Sequence, residues 1–404
     1  MNTEIAARLR PQPSLAFLVF TLTFSHAMSV GSMMVLPAIA PVVAAEYGID
    51  PSLVGYHISV VSIGLIVSLV LFASVSRRLG AARTAQIGQC LVATGMLCMI
   101  LPSVHFLLPG SMIIGLGFGL LAPPASALMM RFAPPARRNL VFSIQQTSVP
   151  LGGVIAALAA PVITIHFGWR WAFLQAVFML GLAIILLQIG RPSWDDDIDP
   201  THRAFGRNPL DGFRSNWRDR NLRLLSFAGM SFCWAQFCVA TFAVVACVAV
   251  LGMSLVHAGF VLMAVQLAST IGRMGAGWIA DRIGSAGAVL MCMSWAMLVL
   301  SLGFIWLSPG WPIVAVYALF TALGLSSGAW AGILMAEVGQ QAPPGRVAAV
   351  VGGTLLYVNI GKFAGPAVFS ATYALTHSYN IAFALLAVPA LIAIGCLRAQ
   401  QRSD

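Results

Sequence analysis

Charge is what this chain has least of. Only 8% of its 404 residues are charged, 22 basic against 12 acidic, while 59% are hydrophobic. Soluble domains carry roughly 25% charged residues, so a water-soluble fold is excluded. Lysine occurs once, at Lys362, and no Asp or Glu falls near the middle of a long apolar run. The polar segments hold no Gly-x-x-x-x-Gly-Lys-Ser/Thr loop, no Ser/His/Asp set and no metal-ligand spacing, so neither enzyme chemistry nor a cofactor or metal is expected. Seven cysteines (Cys90, Cys98, Cys233, Cys238, Cys247, Cys292 and Cys396) all lie inside apolar runs and read as small apolar fillers. The runs also lack the period-2 alternation of barrel strands, which leaves helices.

Long apolar segments are what is present. Spans of the length a bilayer demands are predicted at 14–41, 52–75, 84–103, 108–131, 139–165, 169–190, 222–250, 254–279, 286–307, 311–338, 347–374 and 379–397. Nineteen of the 22 basic residues then fall in the N-terminus, alternate connections, the central polar segment or the C-terminus. The positive-inside rule puts both termini in the cytoplasm of a bacterial inner membrane. Spread over short loops, these arginines form no nucleic-acid surface. The expected partners are the lipid bilayer and a small-molecule substrate, and the expected state is a monomer. Arg170 falls on the other side, in Gly168-Trp-Arg-Trp171, where the tryptophans suit an interfacial belt. Arg8 and Arg10 before an apolar run, with Ala38-Ile-Ala40 beyond, look like a signal peptide. The run exceeds the ~7–15 residues of such a segment, so an uncleaved first helix is expected.

The chain is written twice. Ala133-Pro-Pro-Ala-Arg137 recurs as Ala342-Pro-Pro-Gly-Arg346 at an offset of 209, Gly115 and Gly119 answer Gly324 and Gly328, Phe173 answers Phe383, and Arg78-Leu-Gly80 answers Arg282-Ile-Gly284 at 204. Three parts are expected: a bundle over 1–190, a linker over 191–221 and a second bundle over 222–404. The linker carries Asp195-Asp-Asp197, Asp199 and arginines from Arg203 to Arg220. It reads as solvated chain, with contact to anionic lipid as the alternative. Duplicated halves of this kind mark secondary transporters, whose site lies between the halves near the bilayer midplane.

Gly277-Trp-Ile-Ala-Asp281-Arg282-Ile-Gly284, together with Gly168-Trp-Arg-Trp-Ala-Phe173 and the duplicated Pro-Pro-x-Arg, resembles the signature of the major facilitator superfamily, and the likeness spans the whole chain. It implies an all-α membrane protein of twelve transmembrane helices in two pseudo-symmetric six-helix bundles, moving solute by alternating access. It also implies a cytoplasmic gate role for Asp281, Arg282 and Gly284, with Gly277, Glu337 and Arg346 beside them as gate candidates. Glycines there allow close helix approach, Asp281 suits a helix N-terminus, and Arg282 suits exposed carbonyls. The first-half copy departs from the pattern: Arg77 stands in the Asp position and Ala73 in that of the glycine. Val149-Pro-Leu-Gly-Gly153 has a weak likeness to an exporter pattern without its leading glycine, and reads more plainly as a bend and a packing site.

The charges left inside the spans carry the chemistry. Lys362 lies near the centre of the eleventh span, where a cation costs at least ~2.5–3.5 kcal/mol. Without a midplane carboxylate, an anionic substrate, cavity water or backbone carbonyls must offset that cost. Gln266, Ser269 and Arg273 share one face of the eighth span. An Arg and a Lys so placed look like the pair that holds dicarboxylate in the oxalate:formate antiporter branch, a likeness confined to those two positions. Bracing of the gate is the alternative for Arg273, a structural or snorkelled lysine for Lys362. His26 is the candidate for proton coupling, with a packing histidine as its alternative. Gln145, Gln146, Gln236, Gln266, Asn359, Trp234, Trp330 and Tyr357 are candidates for the pocket wall. The expected cargo is a small organic anion, moved by proton symport or exchange. The alternative is an uncharged aromatic or heterocyclic compound, a vitamin such as riboflavin taken up or a drug expelled.

Overall fold

A computed structural model describes residues 14–72, 75–134, 138–196, 198, 211–343 and 346–402. Arg8, Arg10, Ala73, Arg137 and the linker arginines Arg203 and Arg207 lie outside the described residues, as do Asp197 and Asp199. No strand occurs among the described residues. The first half comprises α1 (Leu15–Tyr47), α2 (Val54–Leu71), α3 (Ala81–Met99), α4 (Leu107–Gly119), α5 (Ala122–Phe132), α6 (Arg138–Gln146), α7 (Ser148–Phe167) and α8 (Trp169–Trp194). After a short helix α9 (Asp211–Arg218) come α10 (Arg220–Leu251), α11 (Leu255–Ile283), α12 (Ala286–Gly303), α13 (Ile313–Gly328), α14 (Ala331–Gln340), α15 (Val347–Thr376), α16 (Tyr379–Ala384) and α17 (Ala387–Gln401). Among the described residues ten helical segments are long and apolar enough to cross a membrane, α4 with α5, α13 with α14 and α16 with α17 each forming one. Two further long helices pack among them: α3 against α4 and α8, and α15 against α10 and α2.

Four predicted spans are not single helices. Breaks fall at Leu120–Leu121, Thr147, Ala329–Trp330 and Leu385–Leu386. Pro123 and Pro124 follow the first break, and a proline is comfortable in a first helical turn but not in the turn before it. Its counterpart at 329–330 lies 209 residues later, so the discontinuity belongs to the repeat. Glycine contacts repeat as well: a side chain at Gly115 would strike the Val61 carbonyl, and one at Gly324 would strike Val265.

The linker is structured at both ends, contrary to its reading as solvated chain. Asp195 accepts hydrogen bonds from the backbone N–H of Ala82 (2.7 Å) and Arg83 (3.0 Å), capping α3. Gly80, at φ +91°, leaves the room: a Cβ there would sit 2.3 Å from the Asp195 carboxyl carbon. Asp196 pairs with Arg131 at 2.6 Å. The acid that the first-half loop lacks at Arg77 is thus supplied from the end of α8. At the far side, Asn216 of α9 donates to Val350 O and Thr354 Oγ1, both at 2.9 Å, and holds that helix on α15.

Two repeat-related seams join the halves at the end away from the arginine-rich connections. Gly55 on α2 lies against Ser370 and the Pro366 carbonyl of α15, and Gly259 on α11 lies against Pro161 and the Ala157 carbonyl of α7. Ser370 Oγ donates to Ser52 O (2.6 Å) and Ser59 Oγ to Phe363 O (2.7 Å), satisfying hydroxyls in an apolar contact.

Candidate functional site

Lys362 sits where the halves meet and is 4% exposed. Its Nζ lies over the ring of Phe237 on α10 at 4.4 Å and over Phe118 on α4 at 5.2 Å. Among the described residues it has no carboxylate partner. Ring faces are negative, so two of them stabilise a buried cation by about 0.5–2 kcal/mol each. This is comparable with the insertion cost and leaves the ammonium's own hydrogen-bond donors available. The repeat explains the position: Lys362 occupies the place that Gly153 holds in the first half, 209 residues earlier. Gly153 is covered by the Gln266 side chain of α11.

The other predicted pocket residues divide into two sets. His26 on α1 packs its ring against Phe118 (5.1 Å) and accepts at Nδ1 from Gln145 Nε2 (2.8 Å). It therefore shares a ring with Lys362, which lies within its electrostatic reach. Gln266 is buried between the halves. Arg273 reaches across them, donating from Nε to Gly328 O (3.1 Å) and from a guanidinium nitrogen to Gln146 O (3.3 Å). It thus ties α11 to the break before α14 and to the first half, as a brace would. Trp330 stacks near Phe232 and donates to Gln236 Oε1 (3.0 Å), so these two pocket candidates satisfy each other. Trp234 packs against Gly365. Asn359 donates back to Leu355 O within its own helix (2.8 Å). Tyr357 stands in a different group, stacked on Phe213 of α9 at 4.4 Å and edge-on to Phe227.

Among the predicted gate residues, Gly284 takes φ +70° and caps α11, as a residue without a side chain does best. Asp281 is exposed. Arg282 lies over the Trp278 ring of its own helix (4.4 Å) instead of reaching carbonyls elsewhere. Gly277 is not a close-approach point, since a side chain there would meet open space; Gly272, against Leu325 and Ala329, is. Glu337 accepts from Gln341 (2.9 Å), and Arg346 is exposed at the start of α15. Arg170, isolated by the charge pattern, pairs with Glu46 (2.8 Å), which also accepts from Trp169 Nε1 (2.5 Å) and pins α8 to α1.

Sequence reasoning missed Phe118, Phe237 and His57. The phenylalanines carry no signal beyond being apolar. His57, an ionisable residue inside a span, did carry one.

Residues 19–366 match the sequence profile of the Major Facilitator Superfamily. A gentisate transporter of Corynebacterium glutamicum is 24% identical over 89% of this chain and 82% of its own length. A Bacillus subtilis protein provisionally named as a niacin/nicotinamide transporter is 24% identical over 92% of this chain and 91% of its own. Among solved structures, a POT family transporter in complex with 5-aminolevulinic acid superposes with a TM-score of 0.78 over 98% of this chain and 99% of that one, at 15% identity.

Proposed function

This chain belongs to the Major Facilitator Superfamily and is a membrane transporter of small solutes rather than an enzyme, and from that premise we propose that its cargo is a single-ring aromatic carboxylate. The observation that carries the reading is Lys362: a buried ammonium, bracketed by two phenyl rings and unmatched by any carboxylate among the described residues. An aromatic acid complements both features, its carboxylate meeting Nζ and its ring meeting Phe118 and Phe237. Gentisate and niacin, named for the two relatives, are both ring carboxylates, while nicotinamide, named beside niacin, is the neutral amide of the same ring. The two carboxylates carry the negative charge that the sequence's first cargo reading requires and that its alternative, an uncharged aromatic or heterocyclic compound, lacks. The neutral alternative is weakened because Trp330 and Gln236, which would hold such a cargo, already satisfy each other.

Uptake runs by alternating access, driven by a proton or by exchange, with α3 and α15 completing twelve crossings and both termini in the cytoplasm. With the arginine-rich end cytoplasmic, the glycine seams join the halves on the outer side. Proteoliposomes given radiolabelled gentisate or nicotinate are expected to accumulate it, and Lys362→Gln to abolish accumulation without loss of protein. Uptake by Lys362→Gln at wild-type affinity, or competition by riboflavin but not by carboxylates, would overturn the assignment.

A further inference from the structure

A second buried histidine, His57 on α2, borders a cavity in the first half. It is 3% exposed, and both its ring nitrogens are engaged. Nε2 lies 3.0 Å from the Met33 carbonyl. That oxygen lacks its helical donor because residue 37 is proline. A carbonyl only accepts, so Nε2 carries a hydrogen. Nδ1 lies 2.7 Å from Ser111 Oγ, a hydroxyl that is also 2.5 Å from the Leu107 carbonyl. Turned to Leu107, the hydroxyl accepts from Nδ1 and the ring is imidazolium. Turned to the ring, it donates to Nδ1 and the ring is neutral. Both charge states are fully hydrogen-bonded, and only one hydrogen rotates between them. His26 has no such freedom, because the Gln145 amide nitrogen at its Nδ1 donates and matches the neutral ring.

His57 also lies on a path. Its ring lines a cavity of about 340 Å³ at the arginine-poor end, whose walls include Asp50, Tyr56 and His105. Two residues further along α2, Ser59 Oγ donates to the carbonyl of Phe363, the neighbour of Lys362 on α15 (2.7 Å), so the lysine's charge reaches the ring. Asp50 accepts from Ser52 N–H (2.8 Å) and presents a carboxylate beside the cavity. We propose that His57 is the proton-binding site of the transport cycle, reached through this cavity and coupled to the cargo through the charge of Lys362. The coupling rests on the carboxylate reading of the cargo. Lys362 repels an imidazolium, and a carboxylate seated on Lys362 cancels that repulsion, so cargo favours the proton. By linkage the proton favours cargo equally. The charged and titratable groups around His57 are Lys362 on α15 and, about the cavity, Asp50, Tyr56 and His105.

The test measures proton uptake when gentisate is added to purified protein in weakly buffered detergent solution, alongside ¹⁵N-histidine spectra of the cargo-free protein. Wild type is expected to take up a proton with gentisate, and His57→Gln, whose amide can still donate to Met33 O, to bind gentisate without it. Ser111→Ala is expected to behave likewise. Proton uptake unchanged in His57→Gln overturns the proposal. In the spectra, the resonance lost in His57→Gln is expected to titrate within the pH range over which the protein stays folded, with more imidazolium at a given pH in Lys362→Gln than in wild type. A His57 ring fixed in one tautomer across that range, in both proteins, overturns the proposal whether or not gentisate is bound. Failure of wild type to bind gentisate, with a titrating His57, rejects the cargo and keeps the proton site.

Discussion

Lys362 is a cation held by ring faces where a carboxylate would ordinarily stand. An insertion cost of ~2.5–3.5 kcal/mol set against two cation–π contacts of about 0.5–2 kcal/mol each comes close to balance, so the lysine is tolerable unliganded and still attracts an anion. Phe237→Ala is expected to weaken gentisate binding roughly tenfold, since one such contact and one ring wall are lost; isothermal titration of the purified variant measures this. An unchanged affinity would show that the ring lies outside the site. The uniqueness of Lys362 and the absence of midplane acids were legible in the sequence. Its neighbours were not, because residues 118, 237 and 362 meet only when helices from the two halves pack. His57 needed two facts that no single window shows together: a proline four residues after Met33, and a serine on α4.

Helix ends and breaks decide how those residues are presented. Span limits were legible because apolar runs end at charges, glycines and prolines, and most predicted limits fall within a few residues of the observed helices. The break at Thr147 coincides with the bend read in Val149-Pro-Leu-Gly-Gly153, Pro150 standing in the first turn of α7, but the residue at which it falls was not legible. Neither was the α3 cap, in which Asp195 supplies a carboxylate from more than a hundred residues away. Asp195→Asn removes charge from that helix N-terminus and is expected to cost about 1 kcal/mol, read as a lower unfolding temperature of the purified protein. Identical melting would mean that α3 does not depend on the cap. The seams give a conformational prediction. Gly55→Leu or Gly259→Leu places side chains where backbone carbonyls already lie, so closure at that end is blocked. A cysteine introduced at Ser59 is expected to react with an external maleimide faster in these variants than in the parent, and uptake to fall. Equal labelling would show that the seam tolerates the bulk.

At the scale of the whole molecule, two copies of one helical unit differ where function requires it. Gly153 in the first copy answers Lys362 in the second, so the positive charge is asymmetric within a symmetric frame, and it lies on the surface that the halves share. A carboxylate bridging Lys362 and the first half would draw the copies together, and its departure would release them. The most direct measurement of that claim compares nicotinate with nicotinamide, ligands of one shape that differ in charge, binding to the wild type and to Lys362→Gln. Nicotinate is expected to bind wild type about 30–150-fold more tightly than nicotinamide, as a partly desolvated ion pair of about 2–3 kcal/mol requires, and the preference to vanish in the variant. Equal affinity of the wild type for both, or a preference for nicotinate that survives the loss of Lys362, would contradict it.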